Sequence, residues 1–270
     1  MRLKPQTAAA GYRLHALGAT QSTNDDALHA AREGDRGPLW VVAEEQRAGR
    51  GRQGRRWASP RGNLYASLLL TDPCEPSLAP QLGFVAGLAL HGAVETVTGI
   101  GAPRLALKWP NDLLLDGAKV SGLLLEGHRI GATLAIVIGF GVNVTHAPRD
   151  TPYPAAALRS VAPSAAREAL FEALAAAFCD AFAAWGAARH LGASDRFRPI
   201  RDRWLARAAG LGTKVALRLP AGERRGVFRG LDGSGRLQLE TAAGTELIDA
   251  GDLYFPDWSP ADAGPAAGTR

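Results

Sequence analysis

The chain has 270 residues, of which 46% are hydrophobic, and carries 31 Lys and Arg residues against 26 Asp and Glu. This length predicts one large domain and a small one, with enough apolar residues for a packed core. No apolar run approaches the length of a membrane span, and the first residues lack the apolar region of a signal peptide. These features argue against a membrane or secreted protein.

The cysteines and histidines also argue against a secreted protein. Cys74 and Cys179 lie far apart and match no metal-binding spacing, so we expect free thiols in a reducing cytoplasm. The six histidines form no pair with the spacing of a metal site. The sequence therefore predicts a cytoplasmic protein without a dedicated transition-metal site.

The N-terminal part predicts a strand, a helix and a second strand. Residues 12–17 alternate weakly in polarity, as a strand does. Ser22 is a good N-cap for the helix that follows, and Gly34 is a suitable C′ residue. Local chemistry alone therefore explains Ser22 and its two neighbours as capping residues. Residues 39–43 predict a buried strand.

A segment rich in glycine and arginine follows that strand, and we call it the arginine loop (residues 46–61). It contains no carboxylate, and its arginines account for the whole basic surplus of the chain. Three interspersed glycines predict a flexible loop that leads into a strand at 63–71. Its arginines are Arg47, Arg50, Arg52, Arg55, Arg56 and Arg61.

Forked guanidinium groups on a mobile loop suit closure over an anion such as phosphate. A solvated basic loop or a nucleic-acid patch explains the loop equally well when it is considered alone. Its glycines also spell G-x-G-x-x-G, but no helix follows them, so a dinucleotide-binding fingerprint is rejected.

The middle of the chain predicts a helix and further strands. The helix starts at Pro80 and runs to about Thr98. A strand at 104–109 ends at Pro110, and two short strands around an Asp-Gly turn read as a hairpin. Residues 133–140 are nearly all apolar, which predicts a central strand buried on both faces.

The last third predicts a change of architecture. Residues 144–163 read as a surface connection, and Ser164 is expected to cap a long helix over 165–188, with a shorter helix over 195–209. Short strands separated by glycine turns then predict a small antiparallel barrel or sandwich. They lie at 213–219, 225–231, 236–240 and 246–250.

Polar clusters lie at the predicted strand ends and helix starts, where the loops of one sheet converge on ligand sites. Lys108 and Lys119 fall on neighbouring strand segments, and two cations inside a sheet are costly unless an anion neutralises them. The pair therefore favours an anionic ligand. For Lys119 alone, a surface lysine at a hairpin end is the simpler interpretation.

Five motifs stand in one order along the chain. They are S-T-N at 22–24, G-R-G-R-Q-G-R-R-W at 49–57, K-W-P-N-D at 108–112, K-V-S-G-L-L-L-E at 119–126 and G-F-G-V-N at 139–143. In order and spacing they resemble the biotin–protein ligases, in the form without an N-terminal DNA-binding domain. The match covers residues 20–143 and, more loosely, the C-terminal strands.

The resemblance implies an α+β fold, with a catalytic domain of mixed β-sheet and flanking helices similar to class II synthetases, and a small C-terminal SH3-like β-barrel. We expect a catalytic domain at 1–210, the barrel at 211–256 and a disordered tail at 257–270. Only about ten residues precede the first strand, too few for a helix-turn-helix, so a ligase without repressor function is expected.

The implied activity has two steps, in which ATP activates biotin to biotinyl-5′-AMP and a lysine of the biotin carboxyl carrier protein of acetyl-CoA carboxylase accepts the biotinyl group. Mg²⁺ would arrive with ATP, without a dedicated protein site. No DNA or membrane partner is expected, and a homodimer is left open.

Site residues follow from the resemblance, position by position. Catalytic roles fall on Lys119, Arg52, Arg55 and Asp112. Biotin binding is assigned to Ser22, Thr23, Asn24, Gln46, Arg50, Gly51, Arg52 and Lys119. ATP or adenylate binding is assigned to Arg52, Arg55, Trp57, Asn111, Asp112 and Asn143.

Two rival functions are weighed against this one. A lipoate- or octanoate-transferring ligase has a related fold, but the arginine loop together with K-W-P-N-D favours biotin. A nucleic-acid-binding protein would need basic and aromatic residues beyond the loop, and the rest of the chain is close to neutral.

Overall fold

A computed structural model describes residues 1–149 and 151–255. The described residues up to 205 contain five α-helices and seven strands. The helices are α1 (Pro5–Ala9), α2 (Thr23–Arg32), α3 (Gln81–Thr98), α4 (Arg167–Ala187) and α5 (Ala193–Leu205). The strands are β1 (Arg13–Thr20), β2 (Leu39–Gln46), β3 (Leu64–Thr71), β4 (Leu105–Lys108), β5 (Asp112–Leu115), β6 (Ala118–Ile130) and β7 (Thr133–Val142).

These seven strands form one mixed sheet in the order β1-β2-β3-β7-β6-β5-β4. β1 and β2 are parallel, and every other neighbouring pair is antiparallel. β7 lies at the centre, as its continuous apolar sequence predicts. Alternate residues of that strand face opposite layers: Val137 packs with α2, while Ile136 and Ile138 join the larger core on the other face.

Five further strands form a separate antiparallel sheet in the order β11-β10-β9-β8-β12. The predicted α+β fold with a small second β-structure is therefore confirmed, although the last strand of this sheet was not predicted. The five strands are β8 (Lys214–Leu219), β9 (Gly222–Leu231), β10 (Leu237–Thr241), β11 (Gly244–Ile248) and β12 (Asp252–Tyr254). The tail predicted at 257–270 lies outside the described residues.

Two local predictions are wrong. Ser164 does not cap α4, which begins after Ala166 without a side-chain cap. The connection at 144–163 is not wholly on the surface, since Val144 and Leu158 are fully buried. Apolar residues inside an irregular segment carry no periodicity, so their burial leaves no pattern in the sequence.

Helix α4 is long and apolar enough to cross a membrane by length and composition alone. In the structure it is a core helix, since it packs against α3 and buries Leu170, Leu174 and Phe178. Its length and composition therefore reflect its place in the hydrophobic core.

The two sheets share one hydrophobic core. Phe84 of α3 makes edge contacts with Phe197 and Trp204 of α5, at centroid distances of 5.2 and 5.5 Å. Gly235, in the turn between β9 and β10 of the small sheet, lies directly on the Phe84 ring, and the indole N–H of Trp109 donates to the Gly235 carbonyl at 3.3 Å. Phe84 therefore lies where the small sheet meets the helical layer.

We predict that Phe84→Ala lowers the free energy of unfolding by about 3–5 kcal/mol, because it leaves a cavity among aromatic rings. Urea denaturation measures this change. Phe182→Ala is the matched control, since Phe182 is stacked on Phe178 but only partly buried and should cost less. Equal losses in the two variants would contradict the role assigned to Phe84.

Candidate functional site

A cavity lies against the large sheet, between the arginine loop, the start of α2, strands β5 to β7 and strand β12 of the small sheet. Twelve of the thirteen predicted site residues line it. They are Ser22, Thr23, Asn24, Gln46, Arg50, Gly51, Arg52, Arg55, Trp57, Asn111, Asp112 and Lys119. The sequence motifs therefore converge on one place in the fold.

Asn143 is the predicted site residue that does not line this cavity. It is 2% exposed, and its side-chain amide donates to the Ala156 carbonyl at 3.2 Å. Its backbone N–H donates to Val120 at 2.8 Å. In this structure Asn143 ties the end of β7 to the connection at 144–163.

The arginine loop is folded back on itself. The Gly51 N–H donates to the Arg55 carbonyl at 2.7 Å, and the Trp57 N–H donates to the Gly49 carbonyl at 2.9 Å. Gly49 has no room for a side chain, because a Cβ there would lie 2.7 Å from the Trp57 carbonyl oxygen. The loop covers the cavity as a short hairpin, with Arg50 and Arg56 paired across it.

Carboxylates from two distant elements hold two arginines of this loop. Arg50 makes two hydrogen bonds to Asp25 in the first turn of α2, at 2.6 and 2.5 Å. Arg55 forms an ion pair with Asp252 of β12. The hydrogen bond from Arg50 holds the pKa of Asp25 below its usual range, so this carboxylate is charged at neutral pH.

Arg52 lies deeper than its neighbours and joins three parts of the fold. Its guanidinium donates to the Gly251 carbonyl at 3.1 Å and lies 3.4 Å from the Asn111 side-chain oxygen. Asn111 in turn donates to the Leu123 carbonyl of β6. The loop, the K-W-P-N-D segment and the small sheet therefore meet at one guanidinium.

Asp112 is the one carboxylate placed between Lys108 and Lys119. Its oxygens lie 3.1 Å from the Lys108 Nζ and 2.7 Å from the Lys119 Nζ, and all three side chains are at most 16% exposed. Burial raises the pKa of Asp112, but the charges of the two ammonium groups outweigh burial and hold it below its ordinary value.

The sequence argument assigned neutralisation of this lysine pair to a ligand alone. Asp112 neutralises one of the two positive charges of Lys108 and Lys119. The three side chains together therefore keep one net positive charge, which faces the cavity. An anionic ligand is still favoured, although the net positive charge of the cavity is smaller than its arginines and lysines alone suggest.

Glycines on β6 and β7 make room for Trp57. Gly122 and Gly141 are direct partners in the sheet, and a Cβ at Gly141 would lie 2.5 Å from the Trp57 indole nitrogen. That indole N–H is buried and has no hydrogen-bond partner among the described residues. Lys119 lies 5.5 Å from the Trp57 ring centroid, within cation–π range.

Two groups of cavity residues were missed by the sequence argument. Tyr153 belongs to the connection at 144–163 and lies 5.1 Å beneath the Lys119 Nζ. Asp252, Leu253 and Tyr254 belong to the unpredicted strand β12. A strand of three residues has too few positions to show an alternating pattern.

Chemically, the cavity combines a cationic end with a polar, uncharged end. The cationic end carries the loop arginines and the Lys108–Asp112–Lys119 group, which can stabilise developing negative charge on phosphate oxygens. The other end carries hydroxyl and amide groups of Thr23, Asn24 and Gln46. Within residues 1–149 and 151–255, no group of three His, Cys, Asp or Glu side chains is placed to hold a metal ion.

Comparisons with known proteins agree with this geometry. Residues 18–143 match the Biotin/lipoate A/B protein ligase family, and residues 210–255 match the biotin protein ligase C-terminal domain. The biotin–[acetyl-CoA-carboxylase] ligase of Paracoccus denitrificans is 42% identical over 247 residues, which cover 88% of this chain and 99% of the relative. The ligase of the same name from Mycobacterium tuberculosis is 33% identical, with 91% and 90% covered.

A solved structure shows the same fold. The biotin protein ligase of Aquifex aeolicus in complex with biotin and ATP superposes with a TM-score of 0.74 at 28% identity. The match covers 90% of this chain and 97% of that chain.

We predict that Asp112→Asn destabilises the fold by about 3–5 kcal/mol at neutral pH, because it leaves two poorly solvated ammonium groups without their carboxylate. Since the folded pKa of Asp112 is lowered, its contribution to stability is present above the unfolded pKa of about 3.9 and is lost as the pH falls below it. Chemical denaturation from pH 7 to pH 3 should show a shallower acid loss in the variant.

Asp116→Asn is the matched control for this experiment. Asp116 lies at the other end of β5 and pairs with Arg104 on an exposed surface. Its loss should change stability much less. If both variants lose the same stability, the charges around Asp112 do not have the importance assigned to them.

Proposed function

The chain belongs to the biotin–protein ligase family, and we propose that it activates biotin with ATP and transfers the biotinyl group to one lysine of a biotin carboxyl carrier protein. One observation carries the proposal, namely that twelve of the thirteen residues assigned from the sequence line a single cavity. The match to the Paracoccus denitrificans ligase covers 99% of that relative, which supports the activity of the whole enzyme.

In the first step, a carboxylate oxygen of biotin attacks the α-phosphorus of ATP. The bond from that phosphorus to the bridging oxygen breaks, and pyrophosphate leaves with the electron pair. Biotinyl-5′-AMP remains. Negative charge builds on the phosphate oxygens, so positioned cations lower the barrier. We assign this role to Lys119, Arg52 and Arg55, which surround the cationic end of the cavity.

In the second step, the ε-amine of the carrier lysine attacks the acyl carbon of the adenylate. An amide forms, AMP leaves, and the amine loses one proton. Asp112 lies within hydrogen-bond distance of two lysine ammonium groups in this structure. We propose that Asp112 and Asn111 face the nucleotide, its Mg²⁺ or the incoming amine at this point, since their oxygens are ligands that Mg²⁺ takes.

The folded-back arginine loop suits the chemistry between the two steps. An acyl adenylate reacts readily with water, so a cover over the cavity protects it until the carrier arrives. Arg50 and Arg55 hold the cover to α2 and to β12. Arg50 and Gly51 would then close over the biotin carboxylate, and Trp57 would pack on the adenine side.

The lipoate or octanoate ligase weighed as an alternative is not supported by the comparisons. The matching family includes lipoate ligases, but the relatives and the solved structure are named for biotin.

The two cysteines are free, which fits action in the cytoplasm, where we place the enzyme and its carrier.

The decisive experiment incubates the protein with biotin, MgATP and a biotin carboxyl carrier domain and measures intact mass. We expect one biotinyl group on one carrier lysine. Reactions without ATP, with lipoate in place of biotin, or with the acceptor lysine changed to Arg should show no shift. Absence of the biotinyl mass at saturating substrate would refute the proposed function.

We predict that Lys119→Ala slows adenylate formation about 100- to 1,000-fold, the cost of removing one positioned donor from a developing anion. The affinity for biotin should change less, because the polar end of the cavity is retained. Single-turnover measurement of biotinyl-AMP gives the rate. Lys214→Ala, an exposed lysine of β8, is the control, and equal rates in the two variants would rule out the assigned role of Lys119.

A further inference from the structure

The Lys119 ammonium is enclosed by one carboxylate and two aromatic rings. Its Nζ lies 2.7 Å from Asp112, 5.5 Å from the ring centroid of Trp57 and 5.1 Å from that of Tyr153. Gly122 lies against the same ammonium, since a Cβ there would be 3.3 Å from Lys119 Nζ. The cation that we assign to the first step therefore has two ring faces as neighbours, both within cation–π range.

Tyr153 is held in this place by backbone pairing next to it. The Lys119 N–H donates to the Pro154 carbonyl at 2.8 Å, and the Ala156 N–H donates to the Lys119 carbonyl at 3.0 Å. Asn143 fixes the same strip, because its side-chain amide donates to the Ala156 carbonyl at 3.2 Å. This irregular connection is thus paired with β6 at Lys119 itself, and the pairing places the Tyr153 ring against the ammonium.

The Tyr153 ring attracts the ammonium without cancelling its charge. Burial raises the pKa of the Tyr153 phenol, and the negative charge of Asp112 raises it further, so the hydroxyl keeps its proton at neutral pH. A neutral aromatic ring carries partial negative charge on its face and attracts a cation there. Asp112 differs in this respect, because its full negative charge offsets one of the positive charges beside it.

The two rings differ in their attachment to the fold. Trp57 belongs to the arginine loop, so its position changes when that loop opens for substrates. Tyr153 lies outside the loop, next to residues that pair with the strand carrying Lys119. Tyr153 therefore stays beside the ammonium when the loop opens. As negative charge builds on the phosphate, Lys119 shares its N–H groups between Asp112 and the ligand, and the ring face attracts the ammonium throughout this change.

We infer that Tyr153 is a positioning residue that holds the Lys119 ammonium toward the reacting phosphate through the face of its ring. The inference rests on the proposed function, because this phosphate is the one at which ATP is attacked. Tyr153 acts through Lys119, so its effect falls on the rate of adenylate formation and disappears when Lys119 is removed. The ring face is the part required, and the hydroxyl is not.

Tyr153→Leu and Tyr153→Phe test the ring. Leucine has no π face, so single-turnover formation of biotinyl-AMP at saturating biotin and ATP should slow about 3- to 30-fold, the factor that corresponds to one cation–π contact. Phenylalanine retains the face, so its rate should stay within about twofold of wild type. Equal slowing in both variants would contradict the role of the ring. A saturated rate that is unchanged in Tyr153→Leu, with a raised KM for ATP, would make Tyr153 a nucleotide contact instead.

A double-mutant cycle with Lys119→Ala separates action through Lys119 from general damage to the cavity. If Tyr153 acts through the ammonium, Tyr153→Leu should change the rate by less than about twofold in protein that already lacks Lys119. Damage to the cavity, or loss of a direct ligand contact, would slow both backgrounds by the same factor. Equal factors in the two backgrounds overturn the inference.

A fluorinated series retains the shape of the ring and changes its electrostatics. Tyr153 is replaced by phenylalanine and by phenylalanine analogues with increasing numbers of ring fluorines, which progressively weaken the negative charge of the ring face. The rate of adenylate formation should fall stepwise along the series, while the thermal midpoint stays near that of Tyr153→Phe. These proteins also take the place of Tyr153→Leu if the leucine variant does not fold.

Phe182→Leu is the matched control for a lost ring. Phe182 is also partly buried and stacks on Phe178 at 5.7 Å within α4, outside the residues that line the cavity. Its rate of adenylate formation should equal that of wild type, and slowing equal to that of Tyr153→Leu overturns the inference. If wild type forms biotinyl-AMP and the fluorinated series is flat, the inference alone fails. If wild type forms none, the proposed function fails first, and the inference fails with it.

Discussion

The site depends on one buried carboxylate. Asp112 lies between two lysines that come from different strands of the sheet, Lys108 at the end of β4 and Lys119 at the start of β6. Two ammonium groups this close would repel each other without it. The carboxylate lets both cations face one cavity, and the group still carries a net positive charge. The strand order β6-β5-β4 is what brings the three residues together.

Carboxylates also hold the arginine loop that covers the cavity. The arginine loop has no carboxylate of its own, yet Asp25 of α2 and Asp252 of β12 form ion pairs with it. Asp252 belongs to the small sheet, which therefore contributes a wall of the site as well as a share of the core. Exposed pairs of this kind are each weak, so the loop can open for substrates without a large cost.

Sequence motifs were sufficient to find the site because each lies at a strand end or a helix start, and sheet pairing brings such positions together. They were insufficient where contacts come from distant, patternless segments. Tyr153, in an irregular connection, and Asp252, on a three-residue strand, have no local signal.

The cavity interacts with ligands through two kinds of electrostatic interaction. The attraction exerted by its cationic end is long-ranged and unspecific, because net positive charge attracts any carboxylate or phosphate. Discrimination between acyl groups must therefore come from the uncharged end, where hydrogen bonds reject a ligand that leaves buried polar atoms unpaired. Such rejection needs atoms whose donor or acceptor role cannot change. Gln46 supplies such an atom, because its side-chain oxygen accepts the Thr23 backbone N–H at 2.9 Å and is thereby fixed as an acceptor.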